Sequence, residues 1–296
     1  SFNIDNVNGG KILFDLYAQT GDERYKIAMD TLRKQMAEQP RTSEGGFWHK
    51  LRYPHQMWLD GIFMASPYLV QYGATFNEPA LFDEATKQIL LINSKTYDPA
   101  TGLFYHGWDE SREQKWSNPE TGCSPNFWSR SIGWYGAAIV DVLDFLPQET
   151  AGRDSIIQIL QGLAKAIVKY QDPSSGTWYQ VTDQGAREGN YLESSATALF
   201  IYTLAKAINK GYIGNEYIEP TQKAFDGMVK TFTRLEEDGS YTITNCCAVA
   251  GLGGDSKRYR DGSFEYYISE PIIENDPKSV GSFILAAIEY EKMTKK

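Results

Sequence analysis

Cysteine, histidine and long apolar runs are all scarce in this chain of 296 residues. The three cysteines, Cys123, Cys246 and Cys247, are an odd number without metal-ligand spacing, so they predict neither a disulfide framework nor a zinc site. No window approaches the roughly 18 uninterrupted apolar residues that a spanning helix needs, which argues against membrane insertion. The first eight residues carry no positively charged leader and give no targeting signal.

Acidic residues also outnumber basic residues in this chain. The net charge is -9 and no cluster of Lys and Arg stands out, which excludes a surface built to bind nucleic acid. A single Arg or Lys is still enough to hold one carboxylate, so small acidic substrates are compatible with this composition. Aromatic residues, in contrast, make up 14% of the chain, and such rings either fill cores or line clefts that bind sugars.

A short unit in which glycine precedes aromatic residues occurs four times. Its copies lie at Gly46-Phe47-Trp48, Gly102-Leu103-Phe104-Tyr105, Gly176-Thr177-Trp178-Tyr179 and Gly239-Ser240-Tyr241. Two segments with helical periodicity separate each copy from the next, and this alternation is typical of a repeat architecture.

The apolar periodicity predicts nine helices and therefore an all-α protein. The predicted helices are one that ends before Gly21, followed by residues 23–39, 58–72, 79–94, 128–146, 153–170, 191–209, 215–232 and 278–292. A closed (α/α)6 toroid needs twelve, so about three more are expected before Ser1; an open α/α arrangement is the alternative. In either case the glycine loops should lie at one end and line a cleft together with the starts of the inner helices.

One carboxylate stands in an otherwise apolar stretch, Met57-Trp58-Leu59-Asp60-Gly61-Ile62-Phe63-Met64. An acid in such surroundings must find polar partners, stay protonated or lie at a polar opening, and the last two suit a general acid. Asp60 could instead simply be the N-cap of the helix that follows.

Other polar residues are expected at the same end of the layers. His49 and His106 occupy matching places in two repeats, which favours a shared cleft, whereas His55 fits a structural role. Arg130 lies between Trp128 and Trp134 in the sequence. Its guanidinium group offers two parallel hydrogen bonds to a carboxylate, and the tryptophan rings offer stacking faces. The alternative is that Arg130 simply points to solvent at a helix start.

Several motifs in order resemble the unsaturated rhamnogalacturonyl hydrolases of glycoside hydrolase family 105, which are related to the unsaturated glucuronyl hydrolases of family 88. These motifs are Ile4-Asp5-Asn6, Phe47-Trp48-His49-Lys50, Met57 to Met64, Trp128-Ser129-Arg130 with Gly133-Trp134, Ser269-Glu270-Pro271 and Glu274-Asn275-Asp276-Pro277-Lys278. The resemblance implies one (α/α)6 catalytic domain over residues 1–296, preceded in that family by a further N-terminal segment. Ser131-Ile132 stands where the family often has Gly-Asn.

The resemblance also implies roles for individual residues. Asp60 matches the catalytic acid/base, and Asp5 matches the second aspartate, which holds substrate hydroxyls. The residues that match the sugar pocket or positions near it are His49, Lys50, Met64, His106, Trp128, Arg130 and Trp134. No metal or organic cofactor is implied.

The chemistry implied is hydration of the C4=C5 double bond in an unsaturated uronic acid at the end of a lyase-generated oligosaccharide, here an unsaturated rhamnogalacturonan disaccharide. The alternatives are an unsaturated glucuronyl hydrolase, an inverting glycosidase using Asp5 and Asp60, a polysaccharide lyase and a sugar-binding protein without catalysis. Free cysteines and a small substrate favour a cytoplasmic location, with the periplasm as the alternative.

Overall fold

The computed structural model describes residues 2–185, 187–254 and 258–295, and α-helices dominate them. The helices are α1 (Asp5–Asn8), α2 (Lys11–Thr20), α3 (Glu23–Glu38), α4 (Leu59–Phe76), α5 (Ala80–Thr96), α6 (Ser129–Val142), α7 (Arg153–Lys169), α8 (Ser194–Asn209), α9 (Ile218–Phe232), α10 (Phe264–Ser269) and α11 (Pro277–Thr294), with a 3-10 turn at Asn215–Tyr217 before α9. All nine predicted helices are present, which confirms the all-α expectation. No helix in these ranges is both long and apolar enough to cross a bilayer.

Three pairs of short antiparallel strands join the helices. They are β1 (Gln56–Trp58) with β2 (Gly107–Asp109), β3 (Thr233–Leu235) with β4 (Tyr241–Ile243), and β5 (Cys246–Cys247) with β6 (Ile272–Ile273). Residues 245–275, which lie between the last two predicted helices, therefore contain β5, α10 and β6. The expectation of about three helices before Ser1 stays a prediction.

The helices form two layers. Helices α4, α6, α8 and α11 contact one another in that order and form the inner layer, while α5, α7 and α9 pack outside them. Almost every residue of α6 and α8 is buried, whereas α7 and α9 bury one face. Helices buried on all sides belong in the centre of a two-layer protein, so burial identifies α6 and α8 as inner helices, whereas α11 buries only one face and belongs to this layer through its contact with α8.

The second and third glycine loops share one turn geometry. In the second copy, the amide of Gly102 donates to the carbonyl of Asp98 (2.8 Å) and the amide of Asp98 donates to the carbonyl of Leu103 (2.9 Å). The third copy repeats both bonds with Asp172 and Gly176. The turn glycines have φ between 77° and 89°, a left-handed conformation that favours glycine; in the first copy this residue is Gly45, not Gly46.

Candidate active site

A cavity of about 350 Å³ opens where the inner helices α4, α6 and α11 begin. Eight of the nine predicted site residues line it: Asp5, His49, Lys50, Asp60, Met64, Trp128, Arg130 and Trp134. Their side chains come from α1, the first glycine loop, α4 and α6. The sequence expectation that all four glycine loops line the cleft is wrong in part, because only the first of them is represented among the described lining residues, and Val249, Ala250 and Arg260 form another part of the wall.

The β1–β2 pair brings Asp60 and His106 together. Trp58 lies opposite Gly107, and the amide of Leu59 donates to the carbonyl of His106 (3.0 Å). Asp60 lies just after β1, in the first turn of α4, and His106 lies just before β2, so the strand register places their side chains side by side. Oδ2 of Asp60 lies 3.1 Å from Nε2 of His106.

The Asp60 carboxyl group is not used for capping. The N-cap of α4 is Trp58, without a side-chain cap, and Asp60 is the second residue of the helix. Although Oδ2 is close to Nε2 of His106, neither atom forms a hydrogen bond with another described residue. The side chain is 13% exposed. Asp60 therefore reaches the cavity without being used as a helix cap.

His106 lies behind Asp60 and does not line the cavity. Its side chain is fully buried, and Nδ1 forms a 2.8 Å hydrogen bond with the hydroxyl of Tyr267 on α10. Its ring lies 4.7 Å from the Trp128 ring and 5.5 Å from the Trp58 ring. The structure thus places His106 where it can orient Asp60, and a direct sugar contact, as the sequence suggested, does not fit this burial.

Asp5 is held by Lys50 and His49. Oδ2 lies 2.5 Å from Nζ of Lys50, and Oδ1 lies 3.3 Å from Nε2 of His49. Burial alone would raise the pKa of Asp5, but His49 and Lys50 outweigh it and lower the pKa below the ordinary value of 3.8. Asp5 is consequently an ionised carboxylate at neutral pH, and the two aspartates in the cavity differ in their partners.

The backbone fixes this arrangement. The amide of Ile4 donates to the carbonyl of His49 (3.1 Å), and the amide of His49 donates to the carbonyl of Gln56 (2.8 Å). The His49 ring then stacks on Trp58, with centroids 4.4 Å apart. His55, in contrast, is half-exposed beside Glu110 and does not line the cavity, and the structural role predicted for it stays a prediction.

Arg130 is largely committed to the protein. Its Nη2 lies 3.1 Å from Oε1 of Glu193 and donates to the carbonyl of Cys247, while Nε donates to the hydroxyl of Ser195 (2.7 Å). Arg130 and Glu193 are both buried. Burial would lower the pKa of Arg130, but the Glu193 charge raises it. Only Nη1 has no acceptor among the described residues. One nitrogen is therefore left to bind a carboxylate in the cavity, and not the pair of nitrogens that the sequence suggested.

Two tryptophans complete the cavity wall. Trp128 is almost fully buried, stacks on Tyr267 with centroids 5.9 Å apart and donates Nε1–H to Gln180 (3.1 Å). Trp134 lies one helical turn after Arg130, and its ring centroid is 4.4 Å from that of Phe63. These contacts fix both rings, as expected for surfaces that stack on a sugar.

Sequence reasoning missed two partners of the site. Tyr267 lies 161 residues from His106 and outside the predicted helices, so no local pattern indicated the contact. Glu193 precedes the helical run of α8 and could have been recognised as its cap, since it accepts the amide of Ala196 (2.7 Å), but not as the partner of Arg130. In the described ranges no three His, Cys, Asp or Glu side chains are grouped to hold a metal ion, and the three cysteines are free and buried.

Known proteins resemble the chain over most of its length. The family model described as Glycosyl Hydrolase Family 88 matches residues 1–294. "Protein Atu3128" of Agrobacterium fabrum is 37% identical over 230 residues, which cover 76% of this chain and 97% of that protein. "Unsaturated rhamnogalacturonyl hydrolase YesR" of Bacillus subtilis is 26% identical over 242 residues, which cover 80% of this chain and 64% of that protein.

A solved structure agrees with these matches. A glycoside hydrolase from family 105 of C. acetobutylicum ATCC 824 is 45% identical, with a TM-score of 0.96 over 98% of this chain and 80% of that one. The resemblance to family 105 noted from the motifs is thereby confirmed, together with the toroidal α/α fold. This chain is a glycoside hydrolase that belongs to family 105, which is related to family 88.

Proposed function

We propose that the enzyme removes the 4,5-unsaturated uronic acid from the non-reducing end of lyase-generated oligosaccharides, with unsaturated rhamnogalacturonan disaccharide as substrate. The observation that carries this proposal is the difference between the two aspartates: Asp5 is ionised and held by Lys50 and His49, whereas Oδ2 of Asp60 forms no hydrogen bond within the described part of the chain. One free carboxyl group suits a reaction in which the same group first gives a proton and then takes one.

In the proposed reaction, protonated Asp60 delivers its proton to C4 while positive charge develops at C5 and the ring oxygen. Water then adds at C5 and loses a proton to the Asp60 carboxylate, which restores the acid. The resulting hemiketal opens by cleavage of the bond between C5 and the ring oxygen, and the hemiacetal left at C1 releases the next sugar. The net change is the addition of one water molecule.

The remaining residues bind and orient the sugar. Trp128 and Trp134 offer stacking faces, Nη1 of Arg130 faces the substrate carboxylate, and Asp5 accepts hydrogen bonds from ring hydroxyls. His49, Lys50 and Met64 shape the wall beside Asp5. Fixing the ring against Asp60 in this way supplies the proximity that proton transfer to carbon requires. The choice of a uronic acid linked to rhamnose as substrate rests on the similarity to "Unsaturated rhamnogalacturonyl hydrolase YesR" of Bacillus subtilis.

The test follows the ultraviolet absorbance of the conjugated double bond. We expect the absorbance to fall with the wild-type enzyme, and Asp60→Asn to reduce the rate by at least about 10²- to 10⁴-fold while the substrate still binds by calorimetry. Asp15→Asn, which removes an exposed carboxylate from α2, is the matched control and should leave the rate unchanged.

The saturated disaccharide separates hydration from an inverting glycosidase. A glycosidase hydrolyses it as well, whereas the proposed reaction requires the C4=C5 double bond and leaves the saturated disaccharide intact. A lyase would raise the absorbance, and a binding protein would leave it constant. Equal turnover of saturated and unsaturated substrates, or an unchanged rate in Asp60→Asn, would refute the proposal.

A further inference from the structure

A second cavity, of about 490 Å³, adjoins the candidate active site. Arg52, Tyr53 and Arg260 line both cavities, and the second one is also lined by Gln56 and Arg258. We call this second cavity the arginine chamber. Tyr53 stacks on Trp58, with centroids 5.0 Å apart, so the shared wall is part of the same aromatic stack that holds His49.

The chamber concentrates positive charge in a protein whose net charge is -9. Three guanidinium groups line it, and no carboxylate is among the described residues that do. Arg258 has a distant partner, with Nη1 3.6 Å from Oε2 of Glu270. Arg52 and Arg260 have no carboxylate within 4 Å in the described ranges, so their charges are not compensated locally.

A buried amide adds a further donor. Gln56 is 1% exposed, and its Oε1 accepts the indole N–H of Trp58 (3.1 Å), which fixes the orientation of the amide. Its Nε2 forms no hydrogen bond with any residue in the described part of the chain. The charged groups and this amide therefore offer hydrogen-bond donors, a combination that matches the oxygens of a carboxylate or a sulfate.

We infer that the arginine chamber is a subsite for an anionic group, a carboxylate or a sulfate ester, on the part of the oligosaccharide that leaves. The inference rests on the proposed function, because that function puts the non-reducing terminal sugar beside Asp60. No sugar precedes the terminal one, so an adjoining cavity can receive only sugars on the reducing side. The enzyme then favours unsaturated oligosaccharides whose leaving portion is charged.

The test compares two pairs of substrates. The first pair is an unsaturated disaccharide with a neutral leaving sugar and the same disaccharide sulfated on that sugar. The second pair is an unsaturated tetrasaccharide with a uronate in its leaving portion and the same tetrasaccharide with this uronate reduced to an alcohol. We expect the wild-type enzyme to show a KM about fivefold to tenfold lower for the uronate or the sulfated form than for its neutral counterpart, and added salt to remove the difference. Which charged form is preferred identifies the source of the anion.

Arg258→Gln is the informative variant, because Arg258 lines the chamber but not the active-site cavity. It should raise KM for the preferred charged substrate about fivefold and leave both neutral substrates unchanged, whereas the control Arg24→Gln, an exposed residue of α3, changes neither. Equal losses on charged and neutral substrates, or no charge preference in the wild type, would overturn the inference.

Failure of the proposed function has a different signature. If the wild-type enzyme turned over none of the unsaturated substrates, calorimetry with the uronate-containing and the reduced tetrasaccharide would still decide the chamber's role. Tighter binding of the charged form, weakened in Arg258→Gln, supports the subsite without any turnover. Equal binding of the two forms contradicts it.

Discussion

Lys11 donates the hydrogen bond that Pro67 cannot. Pro67 lies inside α4 and has no amide hydrogen, so the carbonyl of Phe63, four residues earlier, loses its helical donor. Nζ of Lys11 lies 2.7 Å from that carbonyl oxygen and 3.5 Å from the centroid of the Phe63 ring. Burial lowers the pKa of Lys11 to about 8, which leaves the ammonium form dominant at neutral pH. The first turns of α4, which carry Asp60, are thus supported from α2.

Replacing Lys11 should cost stability through this carbonyl. Lys11→Met leaves a buried acceptor unpaired, so we expect a loss of about 1–3 kcal/mol in the free energy of unfolding. In a Pro67→Ala background, the new amide can bond the Phe63 carbonyl, and the same Lys11→Met change should cost at least about 1 kcal/mol less. Chemical denaturation of the four proteins in this double-mutant cycle measures the difference.

The cycle has a simple control. Lys34 is an exposed lysine of α3, and Lys34→Met should change stability by less than about 0.5 kcal/mol in either background. Additive effects of the changes at Lys11 and Pro67 would show that the lysine acts through its contact with the Phe63 ring or through charge, and not by replacing the amide.

The buried pair of Arg130 and Glu193 should be sensitive to loss of charge. Glu193→Gln keeps the size of the side chain and an acceptor for the Ala196 amide, yet it leaves the Arg130 guanidinium uncompensated in the core. Removing one partner of a buried ion pair costs about 3–5 kcal/mol, and thermal unfolding should show a correspondingly lower Tm. Glu188→Gln, at an exposed position five residues earlier, is the control. An unchanged Tm would mean that Arg130 does not depend on Glu193.

Asp5 should make the stability of the protein depend on pH in the acid range. Its pKa in the folded protein is lower than the ordinary value of 3.8, so the folded state releases this proton more readily than the unfolded state. The stabilisation is therefore complete above about pH 5 and is lost as the pH falls below 3.8. The difference in unfolding free energy between wild type and Asp5→Asn should shrink between pH 5 and pH 3. A constant difference would contradict the ion pair with Lys50.

The sequence predicted the features that depend on residues close together in the chain, and it did not predict contacts between residues far apart in the chain. Helical periodicity gave all nine predicted helices because apolar spacing is local, and the short motifs indicated eight side chains that line the cavity. The contact of Lys11 with the Phe63 carbonyl joins residues 52 positions apart, and the pairing of β1 with β2 is equally non-local. The sequence therefore identified His106 as a site residue but could not indicate that it lies behind Asp60 and not in the cavity wall.

The position of His106 leads to a kinetic prediction. A buried histidine that orients Asp60 acts on the chemical step, so His106→Leu should lower kcat by about 10²-fold and change KM less than about twofold. His106→Gln, whose amide can place a polar group near Asp60, should recover part of kcat. Tyr267→Phe removes the hydroxyl 2.8 Å from Nδ1 and should lower kcat by about tenfold, again without a change in KM. Were KM to rise while kcat stayed constant, His106 would be a sugar contact after all, and the free carboxyl group of Asp60 would need another source of orientation.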